Sequence, residues 1–151
     1  MAAHHARHTS VAAASAAPVK ARRILVVDDV QLNREVLGFM LDFLGLPAVM
    51  VESGEHALQC LQDERFALVL MDWHMPAIDG LEVTRRLRVL EATSARPRTP
   101  LVIVSASAID HQVAQCLAAG ADDHLAKPFR LPDLERLLQR WMPAGTRLPA
   151  S

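Results

Sequence analysis

Five short strand-like runs, each followed by a helical pattern, constrain this chain more than any other feature. They cover residues 22–28, 48–51, 67–71, 101–104 and 123–126. The third, from Ala67 to Met71, has no polar member, as a strand covered on both faces requires. Between the runs, apolar residues return at helical spacing. Leu32, Val36, Leu37, Met40, Leu41 and Leu44 precede Gly45, a plausible terminator, and Ala57, Leu58 and Leu61 turn inward within residues 54–63. Further helices are expected over 80–91, over 109–119 with Gly120 ending it, and over 131–141, where Pro132 is tolerated in the first turn. Repeated strand–helix units with buried strands argue a parallel sheet covered by helices on both faces. The pattern leaves strand order open. It does place the carboxyl ends of the strands on one edge, where open α/β sheets bind their ligands.

The 151 residues suit one domain, expected over 21–142. Residues 1–20 are rich in Ala and His and lack large apolar side chains, so they are expected to be a disordered tail. His4, His5 and His8 have no Cys or carboxylate beside them to complete a metal site. A net charge of −1 gives no general attraction to nucleic acid or acidic membranes. No apolar run approaches the roughly 18 residues needed to span a bilayer. Cys60 and Cys116 fall in helical segments beside apolar neighbours, so buried free thiols and a reducing, cytoplasmic setting are expected. The stretch 143–151 is expected to be a short tail, too small to fold. Output must then pass through protein contacts, or the chain is part of a longer regulator.

Chemistry concentrates at the strand ends. Asp28-Asp29 follow the first strand, Asp72 the third, Ser105 the fourth and Lys127-Pro128 the fifth. Three carboxylates in one crevice repel each other and need a cation to neutralise them. Hard oxygen ligands with room for water suit Mg²⁺. Lys127 adds a positive charge and Ser105 a hydroxyl donor, the groups a phosphoryl needs around it. Asp72 is then a nucleophile that accepts phosphate as an acyl phosphate. Taken singly, an Asp pair is a helix cap, a Ser a loop hydroxyl and Lys-Pro a surface turn. Together, each after a strand, they are far more specific.

The segments ILVVDDVQLNREVL, VLMDWHMPAIDGLEVTRRLR, LVIVSASA and AGADDHLAKPF carry a resemblance. From about residue 23 to about 141 the chain resembles the receiver domain of two-component response regulators. The run DDVQLNR is more similar to receivers attached to hybrid histidine kinases than to chemotaxis receivers. The resemblance implies a flavodoxin-like (βα)5 fold, with a five-stranded parallel sheet of order 2-1-3-4-5. It implies Asp72 as phosphoacceptor and Mg²⁺ bound by Asp29, with Asp28 supporting partly through water and the His74 carbonyl completing the protein's share of the shell. It makes Ser105 the switch hydroxyl and Lys127 the phosphate-binding lysine, with a cis Lys127-Pro128 bond.

Two positions depart from the family. His124 stands where the family usually has Tyr or Phe, and is expected to turn inward when Asp72 is phosphorylated. His74, two residues after the acceptor, is expected beside the path of attacking water. The resemblance implies a phosphorylation-controlled signalling switch that catalyses only its own phosphorylation and dephosphorylation. Its phosphodonor is a histidine kinase or phosphotransfer protein. Its protein output partner is met through the fourth helix, fifth strand and fifth helix, and a homodimer is compatible with it. The alternative is a receiver-fold interaction module that signals without phosphate, against which the intact Asp28, Asp29, Asp72, Ser105 and Lys127 set weighs. A phosphatase acting through aspartyl phosphate would usually carry a second acid where this chain has His74.

Overall fold

Ile24, Leu25, Val26 and Val27 are almost wholly buried and form β1 (Ile24–Val27), against which the sheet is laid on both sides. A computed structural model describes residues 23–106, 109–143 and 146 of the protein. The expected tail over 1–20 lies outside the described residues, as does most of that over 143–151. After β1 come α1 (Gln31–Phe43), β2 (Ala48–Val51), α2 (Gly54–Asp63), β3 (Leu68–Asp72) and α3 (Gly80–Thr93). The chain continues with β4 (Leu101–Ser105), α4 (Asp110–Ala119), β5 (Asp123–Ala126) and α5 (Leu131–Trp141). All neighbouring strands pair in parallel, in the order β2-β1-β3-β4-β5 that the resemblance implies.

Strand alternation divides the core in two. Leu25, Val27, Val69, Met71, Leu101 and Ile103 face one way, onto Ala57 and Leu61 of α2, Leu81, Val83 and Leu87 of α3, and Cys116 of α4. Ile24, Val26, Leu68, Leu70, Val102 and Val104 face the other way, onto Leu37 and Leu41 of α1 and Leu134, Leu137 and Leu138 of α5. A fully buried side chain such as Leu134 is worth about 2–5 kcal/mol against truncation to Ala. Gly45 (φ 74°) and Gly120 (φ 111°) take the left-handed conformation after α1 and α4, as expected of terminators.

The strand limits differ from the sequence reading where function begins. β1 stops at Val27 and releases Asp28, whereas β3 and β4 extend to include Asp72 and Ser105. Helical spacing on α1 does not mean a single buried face. Leu32 and Val36 are 65% and 45% exposed and join Phe39 (75%) and Phe43 (63%) in a separate solvent-facing stripe on α1. The spacing was helical, but α1 carries two apolar faces. Cys116 is buried as expected, whereas Cys60 is only partly so. Burial pushes both thiols above their ordinary pKa. Among the described residues, no helix is long and apolar enough to cross a membrane.

Candidate functional site

The register of the sheet brings the acidic residues together. Val27 pairs with Met71, so the next residues, Asp28 and Asp72, stand side by side at the ends of adjacent strands. Asp72 pairs with Val104, and Ser105 with Ala126, which sets Ser105 and then Lys127 along the same edge. Carboxylate oxygens of Asp28, Asp29 and Asp72 lie within 4.8 Å of one another. Asp28 and Asp72 are only 2% and 8% exposed, while Asp29 is open to solvent.

Lys127 Nζ is 3.2 Å from Asp28 Oδ2 and 3.2 Å from Asp72 Oδ1. Burial raises the pKa of the Asp72 carboxyl, and Asp28 raises it further; the ammonium of Lys127 opposes both without cancelling them. Burial alone would lower Lys127, but the Asp72 and Asp28 carboxylates outweigh it and raise its pKa. Three carboxylates face one ammonium, so the crevice keeps an excess of negative charge. Clustered hard oxygen donors of that charge fit a small divalent cation such as Mg²⁺.

Two further residues hold this loop, and the sequence reading had not singled them out. Asn33 Nδ2 donates to Asp28 Oδ1 at 3.4 Å, and Arg34 Nη1 donates to the Asp28 carbonyl at 2.7 Å. The Val30 amide also donates to Asp28 Oδ1, at 2.9 Å, so one side-chain oxygen ties down the start of α1. Asn33 and Arg34 were visible only as letters of the matched run DDVQLNR. No periodicity marks a side chain that reaches back to a carbonyl.

After β3, Trp73 packs into the core and His74 is exposed, with the two rings stacked 5.0 Å apart and 8° from parallel. The Trp73 carbonyl accepts from the Gly80 amide at 2.7 Å, closing the loop onto α3. Asp79 caps that helix by accepting from the Glu82 amide at 2.9 Å. Gly80 sits so close that a Cβ there would fall 2.2 Å from the Asp72 carbonyl oxygen. On the far side, Ser105 Oγ and His124 Nε2 are 2.7 Å apart. His124 is thus engaged with Ser105 and half-buried. Burial lowers the pKa of its imidazole, with the Asp123 carboxylate opposing. The Lys127-Pro128 bond is cis.

Comparisons with known proteins agree with this fold. The family model described as the response regulator receiver domain matches residues 24–139. The chain is 35% identical over 131 residues to the sensor protein GacS of Pseudomonas syringae pv. syringae, covering 87% of this chain and 14% of that protein. It is 40% identical over 132 residues to the virulence sensor protein BvgS of Bordetella bronchiseptica, covering 84% of this chain and 11% of that one. The chain therefore spans only a small part of these relatives. Among solved structures, it resembles the receiver domain of a sensor histidine kinase from Pseudomonas aeruginosa PAO1, which has a magnesium ion coordinated in its active-site cleft. That likeness has a TM-score of 0.72 and 37% identity, covering 80% of this chain and 96% of that one.

Proposed function

The chain belongs to the response regulator receiver domain family, and from that premise we propose that it is a phosphorylation-controlled switch whose phosphoacceptor is Asp72. The observation that carries this reading is the single ammonium of Lys127 shared at 3.2 Å between Asp28 and Asp72, within a cluster of three carboxylates. An Asp72 carboxylate oxygen attacks the phosphorus of a phosphohistidine on a partner. The O–P bond forms as the N–P bond breaks, and the imidazole leaves with the bonding pair. Lys127 offsets charge on the phosphoryl oxygens, and the Ser105 hydroxyl donates to one of them. Asp28, Asp29, Asp72 and the His74 carbonyl would hold Mg²⁺. When bound, the ion supplies compensation for the negative charge that the phosphoryl adds to the crevice.

The phosphodonor is a histidine kinase or phosphotransfer protein. Its surface on this chain is the α1 stripe of Leu32, Val36, Phe39 and Phe43, beginning beside a groove lined by Asp28, Leu32, Val36, Lys127 and Phe129. An apolar helix face continuous with the reacting carboxylates suits a helical partner that must bring a histidine to Asp72. Output leaves through α4, β5 and α5, with a second copy of the chain as one candidate partner, and a cytoplasmic location accompanies this reading. Among the described residues, no feature favours signalling without phosphate.

Mass spectrometry after treatment with acetyl phosphate and Mg²⁺ tests the reading. Wild type should gain one phosphoryl group and Asp72→Asn none. A wild type that stays unmodified, or a variant modified equally, would overturn it.

A further inference from the structure

We propose that Arg34 is a positioning residue for Mg²⁺: its guanidinium fixes the peptide between Asp28 and Asp29 and so aims the Asp29 carboxylate into the crevice. This rests on the proposed Mg²⁺ site. Arg34 is the fourth residue of α1, half-buried, and it reaches back to two strand ends. Its Nη1 donates to the Asp28 carbonyl at 2.7 Å, and its Nη2 faces Glu52 Oε2 at 3.9 Å. Val27 pairs with Val51, so Asp28 and Glu52 are the residues that follow β1 and β2 side by side. A planar guanidinium holds both partners in one fixed relation, which a lysine ammonium does not.

Asp28 itself is held without Arg34. Its amide donates to the Val51 carbonyl at 3.2 Å, and its carboxylate accepts from the Val30 amide, Asn33 and Lys127. Asp29 is exposed, and the direction of its side chain is set by the backbone that enters it. The Asp28 carbonyl belongs to that backbone, because a peptide unit is planar from one Cα to the next. With the carbonyl held, the plane does not flip, and an Asp29 oxygen stays within 4.8 Å of oxygens of Asp28 and Asp72.

Charge and position pull in opposite directions here. Arg34 is a cation near a site for a cation, so its charge alone opposes metal binding. Removing it should strengthen binding if charge matters most and weaken binding if position does. Glu52 offsets part of that charge, though at 3.9 Å and in an exposed place it adds little else.

The test is a MgCl₂ titration at constant ionic strength, followed by the backbone ¹⁵N–¹H NMR signals of Asp29 and Trp73. Arg34→Met keeps most of the side chain's length and removes its charge and donors. Its dissociation constant for Mg²⁺ should rise at least about tenfold, as when other groups that orient a metal ligand are removed. Arg34→Lys, which keeps the charge and a donor, should fall between Met and wild type. Glu52→Gln leaves the carbonyl bond in place and should stay within about twofold of wild type. Equal or tighter binding by Arg34→Met would overturn the inference, as would a Lys variant no better than Met or a Glu52→Gln variant as weak. If Arg34→Met does not fold, Arg34→Lys decides, and binding as tight as wild type would overturn the inference. A wild type whose signals ignore Mg²⁺ would instead overturn the metal site, and this inference with it, while leaving Asp72 to the mass-spectrometric test.

Discussion

Lys127 Nζ stands 3.2 Å from Asp72 Oδ1, the same distance it keeps from Asp28 Oδ2. One ammonium therefore balances two largely buried carboxylates, with Asp29 adding a third negative charge nearby. Burial and Asp28 leave the Asp72 carboxyl above its ordinary 3.8. A carboxyl raised on folding contributes stability at low pH that is lost as pH climbs from 3.8 through its folded value. Asp72→Asn removes that loss and keeps an acceptor oxygen for Lys127. In metal-free buffer the variant should melt several degrees above wild type near neutral pH, with the advantage disappearing below 3.8. A variant that melts lower near neutrality would show that the carboxylates are not in conflict.

A divalent cation should relieve the same conflict. A ligand that binds only the folded state stabilises it by about 2.7 kcal/mol at a hundredfold excess over its dissociation constant. Millimolar MgCl₂ should raise the melting temperature where NaCl of equal ionic strength does not. Asp29→Ala should lose most of the rise, since Asp29 is the exposed member of the cluster and makes no bond to Lys127. A wild-type curve indifferent to Mg²⁺ would remove the metal from the proposal.

What the sequence showed and hid divides along physical lines. Strands buried on both faces write themselves as apolar runs, and a carboxylate or lysine at the end of such a run is conspicuous. Asp28, Asp72, Ser105 and Lys127 could therefore be placed on one edge before any coordinates. Strand order came only from the resemblance, since an apolar run does not say which strand lies beside it. On α1, apolar residues on two faces overlap in one periodicity, so Leu32 and Val36 could not be told from Leu37 and Leu41. Side-chain contacts left no trace in the periodicity, whether six residues apart or more than thirty. Arg34 on the Asp28 carbonyl, His124 on Ser105 and Arg88 on Asp122 each needed the folded chain.

Gly80 is where packing limits the site most tightly. A Cβ there would sit 2.2 Å from the Asp72 carbonyl oxygen and 2.9 Å from Met71 Cγ. Backbone cannot yield as a flexible side chain can, so Gly80→Ala must shift either α3 or the end of β3. The expected cost is about 1–3 kcal/mol by denaturant titration. Modification by acetyl phosphate should slow as Asp72 moves. Unchanged stability together with an unchanged rate would mean that the close approach relaxes freely.

At the opposite end of the strands, Arg88 on α3 ties the segment before β4 to the loop before β5. It donates to Glu91 Oε1 at 2.8 Å, and to the Thr99 carbonyl, the Gly120 carbonyl and Asp122 Oδ2 at 2.9 Å each. Asp122 also accepts from the Leu101 amide and from Arg98. Arg88→Met leaves Glu91 and Asp122 short of a partner, with side chains only 8% and 12% exposed. Because Arg98 still pairs with Asp122, the cost should fall near the lower end of a broken buried pair, about 3 kcal/mol. The denaturation midpoint should fall with the slope unchanged. Phosphoryl acceptance by the folded variant should match wild type; a large loss would connect the two ends of the sheet.

The proposed phosphoacceptor predicts a part for His74 in how long the phosphoryl group lasts. Hydrolysis of an acyl phosphate needs water in line with the bond, and His74 is the exposed side chain two residues after Asp72. Its ring is not free to wander, because it lies stacked on Trp73, which is itself buried. If the held imidazole borders that path, as the proposal expects, it either excludes water or orients it, and either effect changes the barrier. His74→Ala should alter the rate of dephosphorylation at least about threefold, roughly 0.65 kcal/mol. His74→Phe keeps a ring to stack on Trp73 but removes the nitrogens, so it distinguishes shielding from positioning. If shielding dominates, Phe should behave as wild type and Ala should decay faster; if positioning dominates, both variants should decay more slowly. Equal decay in all three proteins would leave His74 with no role beyond its backbone carbonyl.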